Sequence, residues 1–328
     1  MKSLDLGKSA RVVAMLAMLA VAASVANAAE TVVNLRAEAT TITMPGGAII
    51  TMWGYAQDSG PVTVPGPALV VLPGDTLRIN LTNNLTEAVS VMVPGEPMPL
   101  DGTNTSPQVV RNPDGRIRSF VHETAPGQTA SYVWGSLKPG SYIYQSATHP
   151  AVQVQMGLYG ALTNDVAAGA AYNGIPYDRS VTLLYSEIDP VLHAAVRDGI
   201  YGTPAYPSTI NYKPDYFLIN GAPYSSTPPA FPTAQTGERV LIRLMNAGLQ
   251  THTPTLLGLY ASLVAEDGNA YPHPLDQYAI FLPAGKTIDA IVIPPAVQKY
   301  AIYDHSLSLS NALASPGGML TFLDVAAK

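Results

Sequence analysis

Cysteine is absent from the 328-residue sequence. Without it the chain cannot form disulfides, so the stability of the folded protein depends on burial of apolar side chains. The absence also excludes thiolate nucleophiles and copper–thiolate bonds within this chain.

Charged residues are also scarce, at 12% of the sequence, where an average soluble domain has about 25%. Two explanations stay open. Either the surface is β-rich and covered by Thr, Ser, Asn and Tyr, or it contacts another subunit or chain, because large interfaces are depleted in charge. The 18 tyrosines against 5 phenylalanines fit both explanations, since tyrosine tolerates a half-wet position.

Long apolar runs and basic clusters are missing beyond the N-terminus. No second stretch approaches the roughly 20 apolar residues of a membrane-spanning helix, so we expect no transmembrane segment in the mature protein. The formal net charge is −6, and the absence of a Lys/Arg cluster argues against nucleic-acid binding. Nucleophile-elbow, phosphate-loop and zinc-binding spacings are absent as well.

The N-terminus has the pattern of an export signal. Three basic residues precede or flank the start of the apolar run Val12–Val25, and Ala26-Asn27-Ala28 provides a small-x-small cleavage site. The alternative is a retained anchor, but about fourteen apolar residues are too few to span a bilayer. We therefore predict a signal peptide over residues 1–28 and a mature protein that is periplasmic, secreted or on the cell surface. Loss of three basic residues and one acidic residue changes the formal charge from −6 to −8.

The rest of the sequence consists of short β-rich runs separated by turns rich in Pro and Gly, which number 29 and 27. Such runs at this spacing predict β-sandwiches or barrels. The predicted strands include Ala68–Val71, Thr76–Leu81, Ala130–Trp134, Ser141–Tyr144, Val181–Tyr185, Val240–Leu244 and Ala290–Ile293. Helical periodicity is weak, and a short helix is predicted over Pro190–Arg197, with Asp189 as its N-cap.

The two halves of the mature chain repeat one another in outline. Pro73–Asn83 is answered by Thr236–Asn246, and each reads as a tight turn, an acidic residue, an alternating strand and a closing Asn. Ala125–Thr129 is answered by Leu282–Thr287 in the same way. Such an echo predicts duplicated domains, with a break in the small-residue stretch Val166–Tyr172. The predicted divisions are a first domain over 29–165, a linker over 166–175 and a second domain over 176–328.

Taken in order, several segments resemble the cupredoxin domains of multicopper oxidases. The segments similar to the family's first domain are Val64–Ala68, Gly74–Leu77, Gly140–Tyr144 and Gln155–Leu162, and those similar to its middle domain are Arg243–Gly248 and Glu266–Gly268. The resemblance covers roughly residues 30–325. It implies an all-β protein made of two tandem cupredoxin-like Greek-key β-sandwiches, of which the second corresponds to a domain without copper ligands.

The resemblance also implies where copper ligands should lie. The family uses His-x-His pairs and one cysteine, and two of the pairs belong to the first domain. The first pair is replaced here by Met92 and Pro94, and the second by Gln145 and Ala147. Copper(II) prefers imidazole nitrogen, whereas Pro and Ala side chains have no lone pair, Met offers a soft sulfur and Gln a weak amide oxygen. The standard oxidase site therefore cannot be built from this chain alone.

Six histidines are present, and none belongs to a His-x-His pair. His149 follows the second altered pair and is the candidate for residual metal binding, with Met92 nearby across the strands. The alternative is an ordinary loop histidine that forms a hydrogen bond. We predict a core or interface role for His252 and a surface role for His122. Glu187 and Asp189 suggest paired-carboxylate catalysis, but their place at a predicted helix start favours structural roles.

Two functions stay open on this basis. The first is a non-catalytic binding or structural module, for which no cofactor is expected, that self-associates or binds another exported protein. The second is a copper-dependent oxidoreductase with a divergent copper site or one completed by a partner chain. Reversible copper(I) binding for metal tolerance is a third possibility.

Overall fold

Alternating burial of side chains marks the strands of the first half of the chain. The computed structural model describes residues 29–224, 233–315 and 317–328. Thr76–Asn83 buries every second side chain, which is the period-2 pattern of a strand with one face on a core. The predicted signal peptide over residues 1–28 lies outside the described residues.

The first sandwich consists mainly of strands with one short helix inserted before its last strand. Its elements are β1 (Glu30–Thr43), β2 (Ile49–Gln57), β3 (Leu69–Val71), β4 (Thr76–Asn83), β5 (Val110–Arg111), β6 (Ile117–Ser119), β7 (Thr129–Ser136), β8 (Gly140–Gln145), α1 (Pro150–Met156) and β9 (Tyr159–Asn164). One sheet has the order β2-β1-β4-β7, and the facing sheet has the order β3-β9-β8. Their inner faces bury a common core that includes Leu35, Leu77, Trp134 and Tyr144.

The second sandwich repeats this design with more strands in each sheet. Its elements are β10 (Ala170–Tyr172), β11 (Ile175–Pro176), β12 (Arg179–Ile188), α2 (Pro190–Arg197), a 3-10 turn (Thr209–Asn211), β13 (Tyr216–Ile219), β14 (Ala234–Gln235), β15 (Val240–Asn246), β16 (Pro254–Leu256), β17 (Ala261–Glu266), β18 (Asn269–Gln277), β19 (Thr287–Val292), β20 (Lys299–Asp304) and β21 (Leu320–Ala326). A sheet of order β13-β12-β15-β19-β17-β18 faces one of order β14-β21-β20-β16. The parallel pairing of β12 with β15 matches that of β1 with β4 in the first sandwich.

Apolar side chains from both sandwiches meet in shared clusters. Ile143 and Val154 of the first sandwich pack with Leu184 and Met245 of the second. Met52 on β2 packs in another shared cluster with side chains of β12 and β13. Because these contacts are buried and apolar, they stabilise the two sandwiches against one another.

Polar groups reinforce the same boundary. The Arg243 guanidinium on β15 donates to the Ser141 hydroxyl at 2.9 Å and to the Asp165 carboxylate at 2.6 Å. Ser141 in turn donates to Asp289 at 2.6 Å, and Tyr172 donates to the other oxygen of Asp289 at 2.5 Å. Burial raises the pKa of Asp289, although Arg243 and these hydroxyl donors favour its charged form.

The segment predicted as a linker contributes to this packing. Residues 166–175 contain β10 and the start of β11, and Ala171 and Tyr172 are buried against Leu241 and Ile291. The proposed domain limits stay predictions. Within the residues that the structure describes, no helix combines the length and apolar character needed to cross a bilayer.

The predicted strands agree with the structure to within a few residues. Ile293 was predicted to end a strand, but β19 ends at Val292, because its partner strand begins at Val240 and offers nothing further to pair with. The helix Pro190–Arg197 has the predicted bounds, and the Asp189 carboxylate accepts the Val191 N–H at 2.9 Å. The helix α1 was not predicted.

Candidate functional site

The four altered ligand positions lie on two adjacent segments. The Met92 N–H donates to the Gln145 carbonyl at 2.8 Å, and the Gln145 N–H donates back to Met92 at 2.9 Å. Both side chains are half-buried, whereas Pro94 is exposed and Ala147 is completely buried. The segments therefore face each other as the resemblance implies, but their side chains present thioether, ring, amide and methyl.

Hydroxyl groups fill the buried space beside these positions. The Ser90 hydroxyl lies 2.9 Å from that of Thr148 and accepts the Ala147 N–H at 3.1 Å. The Thr148 hydroxyl donates to the Ser119 hydroxyl at 3.1 Å. Ser90, Ser119 and Thr148 are at most 1% exposed. These side chains satisfy one another, so the space beside the altered positions is closed by neutral hydrogen bonds.

A buried amide extends this hydroxyl cluster towards α1. The Ser146 hydroxyl donates to the Gln153 side-chain carbonyl at 2.6 Å, and the Gln153 amide donates to the Ala88 carbonyl at 2.9 Å. Gln153 and Ser146 are fully buried. Because the donor and the acceptor of Gln153 are both used, the amide has a structural partner on each side.

The donor atoms at the altered positions do not fit the family's coppers. Copper sites of this family need imidazole and thiolate, and this chain has no cysteine and no histidine at any of the four positions. Across residues 29–224, 233–315 and 317–328, no group of three or more His, Cys, Asp or Glu side chains is arranged to hold a metal ion.

His149 occupies an unusual backbone position next to these segments. It is the N-cap of α1 in the left-handed region, with φ 40° and ψ 55°, and its side chain forms no capping hydrogen bond. Its N–H donates to the Arg118 carbonyl at 3.0 Å. The imidazole is exposed on the wall of a surface cleft that Met92 does not line. Met92 pairs with Gln145 through backbone groups, and a joint site of His149 and Met92 stays a prediction.

A second polar cluster, which the sequence does not reveal, surrounds His252 in the second sandwich. The His252 Nε2 lies 2.5 Å from the Glu187 carboxylate, and its Nδ1 lies 3.0 Å from the Asp304 carboxylate. The three side chains are 0–1% exposed. We call Glu187, His252 and Asp304 the carboxylate–histidine cluster. This burial agrees with the predicted core or interface role of His252. Glu187 belongs to this cluster instead of to the helix start with which it was associated.

The two carboxylates set the charge of this imidazole. Burial alone would lower the pKa of His252, but the hydrogen bonds to Asp304 and Glu187 outweigh it and raise the pKa to about 9. Burial likewise opposes ionisation of Asp304, yet its bonds to His252 and to the Thr253 N–H lower its pKa. At neutral pH the ring is therefore an imidazolium whose two N–H groups both donate, and it has no lone pair to offer a metal.

Backbone N–H groups also donate hydrogen bonds to the Glu187 carboxylate. Its carboxylate accepts the Leu249 N–H at 3.0 Å and the Gln250 N–H at 3.3 Å. Gly248 is required for this approach, because a Cβ there would lie 2.1 Å from a Glu187 oxygen. The Tyr212 hydroxyl, 3.3 Å from Glu187, also donates to Gln155 of α1 at 3.1 Å. The carboxylate–histidine cluster is therefore connected to the first sandwich through α1.

The remaining histidines have ordinary environments. His122, predicted to lie on the surface, is half-buried because its ring stacks on Tyr132 and its Nε2 bonds the Ser131 carbonyl at 2.9 Å. His193 on α2 is buried, its Nδ1 bonds the Thr51 carbonyl at 2.7 Å, and burial lowers its pKa. Like His149, His273 and His305 are exposed to solvent.

Two sandwiches of this topology define a protein of two cupredoxin-like domains. The segments that match the family's His-x-His pairs lie in the first sandwich, where they are altered, and the second corresponds to a domain that has no copper ligands. The chain belongs to the multicopper oxidase family, because family models described as multicopper oxidase match residues 36–166 and 193–320. The predicted family and the all-β fold are confirmed.

The chain is similar to proteins close to its own length and to proteins that are much longer. A copper-containing nitrite reductase from Alcaligenes xylosoxydans xylosoxydans is 29% identical over 263 residues, which cover 75% of this chain and 73% of that protein. Putative laccase-11 from Oryza sativa subsp. japonica is 28% identical over 71% of this chain, and copper resistance protein A from Escherichia coli is 25% identical over 74%. The chain spans only 41% and 44% of the length of these last two.

Solved structures give the same fold. A blue copper oxidase from Nitrosomonas europaea superposes with a TM-score of 0.73 at 21% identity, covering 90% of this chain and 86% of that one. A copper nitrite reductase from Nitrosomonas europaea superposes with a TM-score of 0.66 at 22% identity, covering 91% and 94%. At these identities the likeness concerns the arrangement of the sandwiches.

Proposed function

We propose that this chain is a non-catalytic member of the multicopper oxidase family that acts as an exported binding or structural module. The observation that carries the proposal is the donor set at the altered positions. Met92, Pro94, Gln145 and Ala147 stand where imidazoles would bind copper, and the hydroxyls beside them are committed to one another. The pattern of residues 1–28 supports a location in the periplasm, outside the cell or on its surface.

The state of His252 supports the same proposal. His252 is a buried imidazole bonded to two carboxylates, and groups of this kind are often found at sites of acid–base chemistry. Here, however, both ring nitrogens are engaged with Glu187 and Asp304, and the ring is 1% exposed. A substrate has no access to it, so the cluster serves the stability of the second sandwich.

An exposed apolar surface supports a binding role. Leu257 and Tyr260 follow β16, and Tyr278 and Phe281 lie in the segment that pairs with β16 through Ala279. These four side chains are 52–67% exposed, and the Tyr260 and Tyr278 rings lie 6.0 Å apart. Clusters of exposed apolar and aromatic side chains are typical of protein interfaces. We propose that the mature chain self-associates through this aromatic surface.

Turnover measurements test the absence of catalysis. The purified protein is loaded with copper and assayed for dioxygen uptake with a phenol or with ferrous iron, and for reduction of nitrite with an electron donor. We expect rates equal to those of the same copper with heat-unfolded protein. Copper-dependent turnover above that control would remove the proposal and favour an oxidoreductase with a divergent or partner-completed site.

Light scattering after size-exclusion chromatography tests self-association. We expect the wild type to run as an oligomer and the double variant Tyr260→Asp, Tyr278→Asp as a monomer, because two carboxylates in an apolar interface are desolvated without partners. Leu313→Asp, at an exposed apolar side chain that does not belong to this aromatic surface, is the control and should leave the oligomer intact. A wild type that is monomeric at all concentrations would contradict self-association.

A further inference from the structure

A cleft of about 750 Å³ lies at the boundary between the two sandwiches. Its volume is in the range of sites that hold small organic molecules, and such sites occur preferentially between domains. The wall from the first sandwich is formed by residues 148–152 and Arg118, and the facing wall by Val196 and the loop 199–202. Neither Met92 nor Gln145 lines it, so the cleft is separate from the altered copper positions.

Both walls are fixed by backbone and core contacts. Ser119 and Thr148 form a β-bridge, and the His149 N–H donates to the Arg118 carbonyl at 3.0 Å. On the other side Val196 and Tyr201 pack against the core of the first sandwich. A cleft with such walls is largely preformed, which reduces the ordering that a ligand must bring about.

The lining combines an apolar interior with a few polar groups. Pro150, Val152 and Val196 provide aliphatic surface, and Tyr201 provides an aromatic ring. His149 holds a left-handed backbone conformation, with φ 40°, that is unfavourable for a residue with a Cβ. Strain of this kind is concentrated at binding sites, where the surrounding structure maintains it.

The charges of the cleft select between ligands. The Arg118 guanidinium is bonded through two nitrogens to Glu123, so its charge is already balanced. Glu87 is exposed at the cleft and forms no ion pair with any residue that the structure describes. The uncompensated charge is therefore negative, and it favours a cationic group on the ligand.

We propose that this cleft binds a small organic amine whose ammonium group pairs with Glu87 and whose apolar or aromatic body lies against Pro150, Val152, Val196 and Tyr201. A carboxylate ligand would instead compete with Glu123 for Arg118 and be repelled by Glu87. The assignment goes beyond the proposed non-catalytic function and does not depend on it, because no residue of the altered copper positions takes part.

Calorimetric titration with three compounds of similar shape tests the proposal. Phenethylamine, phenethyl alcohol and phenylacetate carry a cationic, a neutral and an anionic group on the same phenyl ring. We expect the amine to bind roughly three-fold or more tightly than the alcohol, as a partly exposed ion pair allows, and the carboxylate to bind most weakly. Added salt should reduce the difference between amine and alcohol.

Two variants locate the binding. Glu87→Gln should lower the affinity for the amine to that for the alcohol, while Asp276→Asn, a matched removal of an exposed charge on β18, should leave the preference unchanged. Ala151→Trp, at an exposed position in the cleft wall, should weaken all three compounds by filling the space. If Ala151→Trp fails to fold, the surface substitution Glu87→Gln decides alone.

Three results would overturn the proposal. One is that phenethylamine binds no more tightly than phenylacetate. Another is that the preference for the amine survives in Glu87→Gln. The third is that a folded Ala151→Trp variant binds the amine as tightly as the wild type. None of these results bears on turnover with copper, so failure of this proposal is distinguishable from failure of the non-catalytic function.

Discussion

The altered copper positions of the first sandwich and the carboxylate–histidine cluster of the second use polar side chains in opposite ways. Beside Ala147, neutral hydroxyls and the Gln153 amide satisfy one another, and no buried charge is present in this network. Around His252, one imidazolium is enclosed by Glu187 and Asp304. The first region has no imidazole at its four altered positions. The second has one imidazole whose two nitrogens are both hydrogen-bonded.

The difference teaches how a cupredoxin-like fold can satisfy its buried polar groups where the family's imidazoles are absent. A metal site is a cage of buried lone pairs, and removal of the metal would leave those groups without partners at a cost in free energy. With Met92, Pro94, Gln145 and Ala147 at these positions, most of those lone pairs are absent. The sandwich then needs only ordinary hydrogen bonds, and its ionic contacts lie elsewhere.

The largest effect is expected where the charge is buried. His252→Leu leaves the Glu187 and Asp304 carboxylates without their cation, and loss of one partner of a buried ion pair costs about 3–5 kcal/mol. Urea unfolding at neutral pH should show this loss in the free energy of unfolding. His305→Leu, at an exposed imidazole, is the control and should change it by less than about 0.5 kcal/mol.

A charge-neutral background sharpens this result. In the variant Glu187→Gln with Asp304→Asn, the further substitution His252→Leu should cost much less than in the wild type, because no carboxylate is left uncompensated. Equal costs in both backgrounds would mean that the imidazole contributes packing alone, and the contrast between the two regions would disappear.

The next effect is a dependence of stability on pH that belongs to the second sandwich. The folded-state pKa of His252 is raised from 6.5 to about 9. Its contribution is therefore complete below pH 6.5, where the ring is protonated in both states, and is lost as the pH rises towards 9. The shift corresponds to about 3 kcal/mol. Unfolding measured at pH 6 and above pH 9 should show this loss in the wild type and its absence in His252→Gln; a loss that persists in the variant would assign it to other groups.

Substitution of histidine at one altered position in each segment compares how well the two segments accommodate an imidazole. Ala147 is completely buried, so Ala147→His adds volume and a polar ring to a closed space and should destabilise the protein by about 2–3 kcal/mol. Pro94→His, at an exposed position, should cost less than about 0.5 kcal/mol. Thermal unfolding of the two variants gives the comparison. An Ala147→His variant as stable as the wild type would show that the space beside Ala147 can still hold an imidazole.

The smallest effect concerns the buried amide. Gln153→Leu leaves the Ser146 hydroxyl and the Ala88 carbonyl without their partner, at a cost of about 1–2 kcal/mol. Gln145→Leu is the matched substitution, since the half-buried Gln145 side chain forms no hydrogen bond to the residues that the structure describes. The denaturant midpoint of Gln153→Leu should lie below that of Gln145→Leu. Equal midpoints would show that the hydrogen bonds of Gln153 do not contribute to stability.

Much of the fold follows from the sequence because it depends on local patterns. The alternation in Thr76–Asn83 predicts β4, and the Asp189–Pro190 start signal predicts α2. The helix α1 escapes prediction because Pro150–Met156 alternates apolar and polar residues as a strand does, and five of its seven residues are buried, including Gln153 and Gln155. Burial of both faces removes the helical periodicity on which prediction relies.

The two polar sites also differ in how far the sequence predicts them. The altered positions at Met92 and Gln145 could be located by comparison with a known motif, and the structure places them opposite each other. The carboxylate–histidine cluster could not, because Glu187 and Asp304 lie 65 and 52 positions away from His252 in the chain. No spacing rule connects such residues; only the pairing of β12 and β20 with their sheets brings them together.

Copper stoichiometry tests the central claim most directly. The purified protein is loaded separately with copper(II) and with copper(I), desalted, and analysed for metal per chain and for colour, with His149→Ala treated in the same way. We predict a colourless protein that keeps far less than one copper per chain, with no difference between wild type and variant. A blue protein, or one or more firmly held coppers that disappear in His149→Ala, would contradict it.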